Sequence, residues 1–307
     1  MNTLIFSVSA FCLFGSIWGS FGNVVLHRLK HGGSLVFDRS HCPQCNTTLG
    51  VLDLFPILSW IFLRGKCRYC QNSISIQYPI TELLFAIIWG LYGYVFFPYI
   101  SIAQTLLHLF IISSLIIISL YDIKYYEIPD EVSLPSIFIL TLIALWQQNT
   151  DAFIAATLIY SFFYLQIFIP TAIYAWKQKS WKEVFIAIKS FFIFPLWIAL
   201  SCFISEKKLE KWSIFQEEEN EEIPQWIGGG DLRIAFIMGL FLGTKEALIA
   251  LFLSYIIGSF IGVFVLAIYK KKNQMIPFGP FLSLGTIISL FAGQTLWTLY
   301  WETFVNF

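Results

Sequence analysis

Apolar runs of the length that crosses a bilayer, about 17–25 residues each, fall at residues 3–26, 80–97, 101–121, 132–148, 152–175, 246–269 and 277–303. A shorter one occupies 232–243. Only a membrane has room for so much continuous apolar surface in a chain of this length, and in lipid a helix satisfies its own backbone polar groups. The expected fold is therefore an all-α polytopic membrane protein of about eight transmembrane helices. Composition agrees, with 57% hydrophobic against 12% charged residues, outside the range of soluble domains. The 19 basic and 19 acidic residues are spread among loops, form no single basic face, and lie in no DNA- or RNA-binding motif. The first 26 residues lack a basic n-region and a small-residue cleavage site, so they read as a retained helix.

One sizeable polar region separates the first two runs. Residues 27–79 carry Arg28, Lys30, Arg39, Arg64, Lys66 and Arg68 against Asp38 and Asp53, so the positive-inside rule assigns them to the cytoplasm. The expected division is a first transmembrane helix at 1–27, a cytoplasmic zinc-knuckle domain at 28–79, and a multi-helix membrane domain at 80–307 with an insertion at about 176–225. Lys177, Lys179, Lys182 and Lys270-Lys271-Lys272 are expected inside as well. Residues 184–204 are apolar enough to count as a span, yet a full crossing there would separate Asp122 from Asp231. Lys189 and Pro195 favour an interfacial or re-entrant element, and Glu217-Glu218-Glu219-Asn220-Glu221-Glu222 reads as a solvated loop.

Cys42-Pro43-Gln44-Cys45 and Cys67-Arg68-Tyr69-Cys70 are two Cys-x-x-Cys knuckles 21 residues apart. That is close to four-thiolate zinc spacing, and a loop of this size has too little core to fold without such a staple. Two disulfides or four free thiols are the alternatives; a reducing compartment favours the metal. Cys12 and Cys202 lie in apolar segments, as packing residues do.

Asp122, in Ser119-Leu120-Tyr121-Asp122, and Asp231, in Gly228-Gly229-Gly230-Asp231, each stand beside an apolar run. A carboxylate at the edge of a bilayer is costly unless paired, solvated or protonated. Taken singly, Asp122 reads as a solvated helix end among Lys124, Glu127, Asp130 and Glu131, and the triple glycine as a flexible loop. Jointly they point to an acid pair on the cytoplasmic side. Two close carboxylates share a proton, so one can act as general base toward water while the other protonates a carbonyl or a leaving amine. Ile276-Pro277-Phe278-Gly279-Pro280 makes a rigid turn that either starts a helix or shapes a groove. His108 reads as an interhelical hydrogen-bonder, and Gly15, Ser16, Gly19 and Ser20 as a small-residue packing face.

Several motifs together resemble the bacterial type IV prepilin leader peptidases. These are Ser20-Phe21-Gly22-Asn23-Val24-Val25, the paired knuckles with Leu63-Arg64-Gly65-Lys66-Cys67-Arg68, Tyr78-Pro79-Ile80-Thr81-Glu82-Leu83, Tyr121-Asp122 followed by Ile128-Pro129-Asp130, Gly228-x-Gly230-Asp231, and the Pro-Phe-Gly-Pro turn. The resemblance implies an aspartic endopeptidase of the bacterial inner membrane that removes a short basic leader from prepilins or pseudopilins after a glycine, on the cytoplasmic side. In bifunctional members it also implies S-adenosylmethionine-dependent methylation of the new N-terminus. Asp122 and Asp231 fall on the family's catalytic pair, Cys42, Cys45, Cys67 and Cys70 on its metal-binding cysteines, and Gly65 and Lys66 on a pair tied to methyl transfer. The acids stand 231 − 122 = 109 positions apart, more than is usual in the family, and the excess lies in the insertion. A presenilin-like intramembrane protease also pairs Tyr-Asp with Gly-x-Gly-Asp, but the knuckles and the Pro-Phe-Gly-Pro turn argue against it. A non-catalytic zinc-bearing assembly factor of a pilus or secretion machine is the alternative from another class. A transporter is disfavoured because no internal repeat pairs two broken helices.

Overall fold

The computed structural model describes residues 2–35, 37–178, 228–269 and 276–304. The expected interfacial element at 184–204, the acidic run at 217–222 and Lys270-Lys271-Lys272 lie outside them. All eight apolar runs are helical: α1 (Asn2–His31), α3 (Gln77–Phe96), α4 (Ile102–Tyr125), α5 (Asp130–Trp146), α6 (Thr150–Gln178), α7 (Asp231–Leu242), α8 (Thr244–Tyr269) and α9 (Gly279–Phe304). A short α2 (Leu58–Phe62) and a 3-10 turn (Val51–Asp53) lie in the loop between α1 and α3. Among the described residues there is no strand, only the isolated bridges His41 with Thr48 and Lys66 with Ser73. Among the described residues six helices, α1, α3, α4, α6, α8 and α9, are long and apolar enough to cross a membrane, which makes this a multi-pass membrane protein. The 17 residues of α5 and 12 of α7 fall short of that length.

The chain forms two compact units, Met1–Leu120 and Tyr121–Phe307. In the first, α1 packs along α3. The expected small-residue face makes the seam: a Cβ on Gly15 would lie 2.7 Å from the Phe85 carbonyl, and one on Gly19 2.8 Å from Glu82 Cα. Cys12 packs against Gly90 on the same seam. His108 meets the buried Tyr92 hydroxyl at 3.1 Å, as an interhelical hydrogen-bonder should.

In the second unit α7 is central and packs against α5, α6, α8 and α9. It is buried almost all round, through Leu232, Ile234, Ala235, Ile237, Met238 and Leu240, as expected of a helix with no polar face. Gly239 lets its backbone approach α6 at Ala156, too close for any Cβ. At its far end Asp151 accepts hydrogen bonds from the Thr244 N–H at 2.9 Å and the Thr244 hydroxyl at 2.6 Å, which ties the start of α8 to the start of α6. The near end of α7 carries Asp231.

Candidate active site and metal centre

Asp122 lies in the last turn of α4 and Asp231 is the first residue of α7. Both belong to the second unit, and both are buried, 5% and 7% exposed. That burial decides against a solvated helix end at Asp122. The two carboxyls are close enough for the charge of Asp122 to act on Asp231. Three local devices bring them together. After Asp122 the chain turns sharply at Tyr126, whose φ of 58° ends α4 while its N–H bonds the Asp122 carbonyl at 2.8 Å. Gly230 then packs on the following segment, where a Cβ would lie 2.9 Å from Ile128 Cβ. Gly230 is thus a close-approach device, while Gly228 and Gly229 are exposed with room for a Cβ. Finally, Arg233, in the first turn of α7, forms an ion pair with Asp130 at the start of α5, linking the segments that follow each acid.

The Pro-Phe-Gly-Pro turn contributes directly. Gly279 opens α9, and its N–H donates to the Asp122 carboxylate. A Cβ there would lie 2.5 Å from Asp122 Oδ2 and 3.1 Å from Ile234 Cδ1, so the site needs a glycine for space. Phe278, beside it, packs on Tyr255 with ring centroids 5.1 Å apart and on Phe163 at 6.1 Å. The Tyr255 hydroxyl and the Gln166 amide are hydrogen-bonded at 2.8 Å, a polar pair satisfied between α8 and α6. The roles of Gly279, Asp130 and Arg233 were not read from sequence. A signal existed for Gly279: Pro277 and Pro280 have no N–H to offer, which leaves few donors in that turn.

In the first unit the two knuckles are a structural repeat offset by 25 residues (67 − 42). Cys42 N–H bonds Thr47 O and Asn46 N–H bonds Cys42 O, while Cys67 N–H bonds Asn72 O and Gln71 N–H bonds Cys67 O. Asn46 and Gln71 both take positive φ, 54° and 61°. The four Sγ atoms lie within 4.8 Å of one another, with Cys42 and Cys70 at 3.9 Å. A tetrahedral ion with Zn–S bonds of about 2.3 Å has edges of about 3.8 Å, so the donor set and its size fit zinc. None of the four is in a disulfide.

Gly65 and Lys66 lead into the second knuckle. Gly65 is buried at φ 68°, where a Cβ would lie 2.9 Å from Trp60 Cζ2. Its N–H bonds Trp60 O at 2.8 Å, so the glycine has a structural task at this position. Lys66 is exposed and occupies the repeat position that His41 holds in the first knuckle. A cavity of about 620 Å³ opens beside that first knuckle, lined by His27, Arg28, His31, Asp38, Arg39 and His41 among others. Asp53 is tied to the second knuckle through Arg68 Nε at 2.6 Å and the Tyr69 hydroxyl at 3.2 Å. Burial pushes its carboxyl up, but these donors and the Gly50 N–H outweigh that and hold it below the usual carboxylate range.

The fold and its two clusters define a class: polytopic helical membrane proteins with a buried aspartate pair and a four-cysteine cluster that could hold a metal. The chain belongs to the type IV leader peptidase family, whose model matches residues 109–263, and a bacterial peptidase A24 N-terminal domain matches residues 13–96. It is 28% identical to a prepilin leader peptidase/N-methyltransferase of Bacillus subtilis strain 168, over 95% of this chain and 97% of the relative. It is 26% identical to the Aeromonas hydrophila protein of that name, over 95% and 93%, and 29% identical to a type 4 prepilin-like proteins leader peptide-processing enzyme of Escherichia coli, over 90% and 91%. No solved structure matches.

Proposed function

We propose that this peptidase cleaves the short leader of type IV prepilins or pseudopilins after a glycine, at the cytoplasmic face of the bacterial inner membrane, with Asp122 and Asp231 as the catalytic pair. The observation that carries the reading is the pairing itself: two acids 109 positions apart, both buried, within electrostatic reach, one of them held by the Gly279 N–H. One carboxylate takes a proton from water, whose oxygen attacks the scissile carbonyl carbon. The other, protonated, gives its proton to the departing amine as the C–N bond breaks. The substrate's apolar stem, held among the helices in lipid, brings the scissile bond to the pair. A glycine before the cut suits a site where Gly230 and Gly279 already permit close backbone approach.

Cys42, Cys45, Cys67 and Cys70 would hold zinc as a structural staple. The relatives' names add methyl transfer, for which S-adenosylmethionine would supply the methyl group. The cavity beside the first knuckle has the size of a cofactor site, and Arg28 or Arg39 could meet the donor's carboxylate there. Gly65 would shape the adjoining turn, and the exposed Lys66 remains available to the same reaction.

The test is cleavage of a short-leader prepilin by purified enzyme in detergent, with product mass recorded with and without S-adenosylmethionine. Asp122→Asn and Asp231→Asn are each expected to lower cleavage by about 100-fold or more, while a methyl mass appears on the native product. A fully active variant at either position would remove that residue from the mechanism.

A further inference from the structure

We propose that residues 51–62, between the two knuckles, form a membrane-surface anchor that inserts among the lipids of the leaflet on the knuckle side. The stretch presents its apolar side chains outward and keeps its polar groups in. Val51, Leu52 and Phe62 are 83%, 73% and 80% exposed, and Phe55, Leu58 and Ile61 are also exposed. Its single charged residue, Asp53, has a side chain only 6% exposed, held by Arg68, Tyr69 and the Gly50 N–H. The Trp60 indole N–H is likewise turned in, bonding the Ile74 carbonyl at 3.2 Å. Much of the backbone is satisfied locally, through Leu54 N–H to Val51 O, Ser59 N–H to Phe55 O, Ile61 N–H to Ile57 O and Leu63 N–H to Ser59 O. A water-facing loop would show the opposite arrangement, whereas these are the conditions lipid imposes on a segment it touches.

The depth of the stretch follows from its attachment. Ile57 sits between the 3-10 turn and α2 at a φ of 61°, which is strained for a β-branched residue, and its N–H donates to Glu82 Oε2 at 2.7 Å. Glu82 lies inside α3, five residues beyond its first residue Gln77 (82 − 77), which is about 7.5 Å along the helix axis. Because α3 is a membrane-spanning helix, this fastens the centre of the stretch at the level where the span enters lipid. The loop is also tethered at both ends, by α1 and α3. Beside the apolar face stand Arg64, Lys66 and Arg68, all exposed, the complement of anionic headgroups. The occupant of the face is therefore the bilayer interface itself, and the knuckles are held against the membrane surface. This inference is independent of the catalytic reading.

The full-length protein, loaded with zinc, would be placed in nanodiscs of anionic and zwitterionic lipid, carrying a fluorescent amino acid in place of Phe62, Val51 or, as a water-facing control on the second knuckle, Gln71. Brominated lipids are expected to quench most of the emission at 62 and 51 while iodide quenches it little, with the reverse at 71. Replacing Arg64 and Lys66 by Gln is expected to reduce bromolipid quenching at 62 in the anionic discs alone. Strong iodide quenching at 62 and 51 would overturn the proposal by making the face aqueous. Protection from both quenchers would overturn it in favour of a covering protein. Zinc content measured on each labelled protein separates these outcomes from a misfolded knuckle.

Discussion

Asp122 and Asp231 were conspicuous as residues because a carboxylate beside an apolar run is expensive. Gly279 was not, because what makes it necessary is a distant side chain. Its N–H holds the Asp122 carboxylate, and a methyl group in its place would meet Oδ2 at 2.5 Å. Gly279→Ala is therefore expected to expand the site and displace Asp122, lowering prepilin cleavage by about 100-fold. Expression and zinc content should stay near native, since the knuckles lie in the other unit. Steady-state cleavage beside metal analysis checks this, and native turnover would mean that the turn yields easily. The same contrast separates Asp53, legible only as a loop acid, from its observed task of closing on Arg68 and Tyr69.

At the scale of elements, hydrophobic continuity was sufficient to find the helices, since each apolar run emerged as one. It did not foretell that the 12-residue α7 would be the most enclosed of them, packed by α5, α6, α8 and α9. A short apolar run looks the same whether it faces lipid or neighbouring helices, and the difference lies in contacts such as that of Gly239 with Ala156. The knuckles were legible from spacing because a tetrahedral thiolate site demands it. Their matched turns bury little apolar surface, so an ion bound by the four cysteines would supply much of their folding free energy. Removing the metal with a chelator is expected to expose residues 40–74 to hydrogen exchange and proteolysis while α8 and α9 stay protected. Adding zinc back should restore protection. Unchanged exchange after complete metal loss would leave the cysteines without a structural task.

For the whole molecule, the excess of Lys and Arg in residues 27–79 is the ground for expecting that region in the cytoplasm, and the proposed cleavage expects both acids to open to the cytoplasm as well. A reporter fused near Asn220 is expected to be cytoplasmic, with no net crossing between α6 and Asp231; an external reporter would overturn that orientation. By itself the sequence determined that the chain lives in a membrane, where its helices run, which four cysteines belong together and which two acids to propose as the catalytic pair. These are properties of runs, spacings and costly residue types, each readable along one dimension. The tertiary structure alone decided that the acids are buried and mutually close, that Gly279 and the Arg233–Asp130 pair frame them, and that residues 51–62 turn their charge inward and their apolar side chains out. Each of those facts depends on what another part of the chain brings to the same place, through burial, excluded volume and hydrogen bonds that no local pattern encodes.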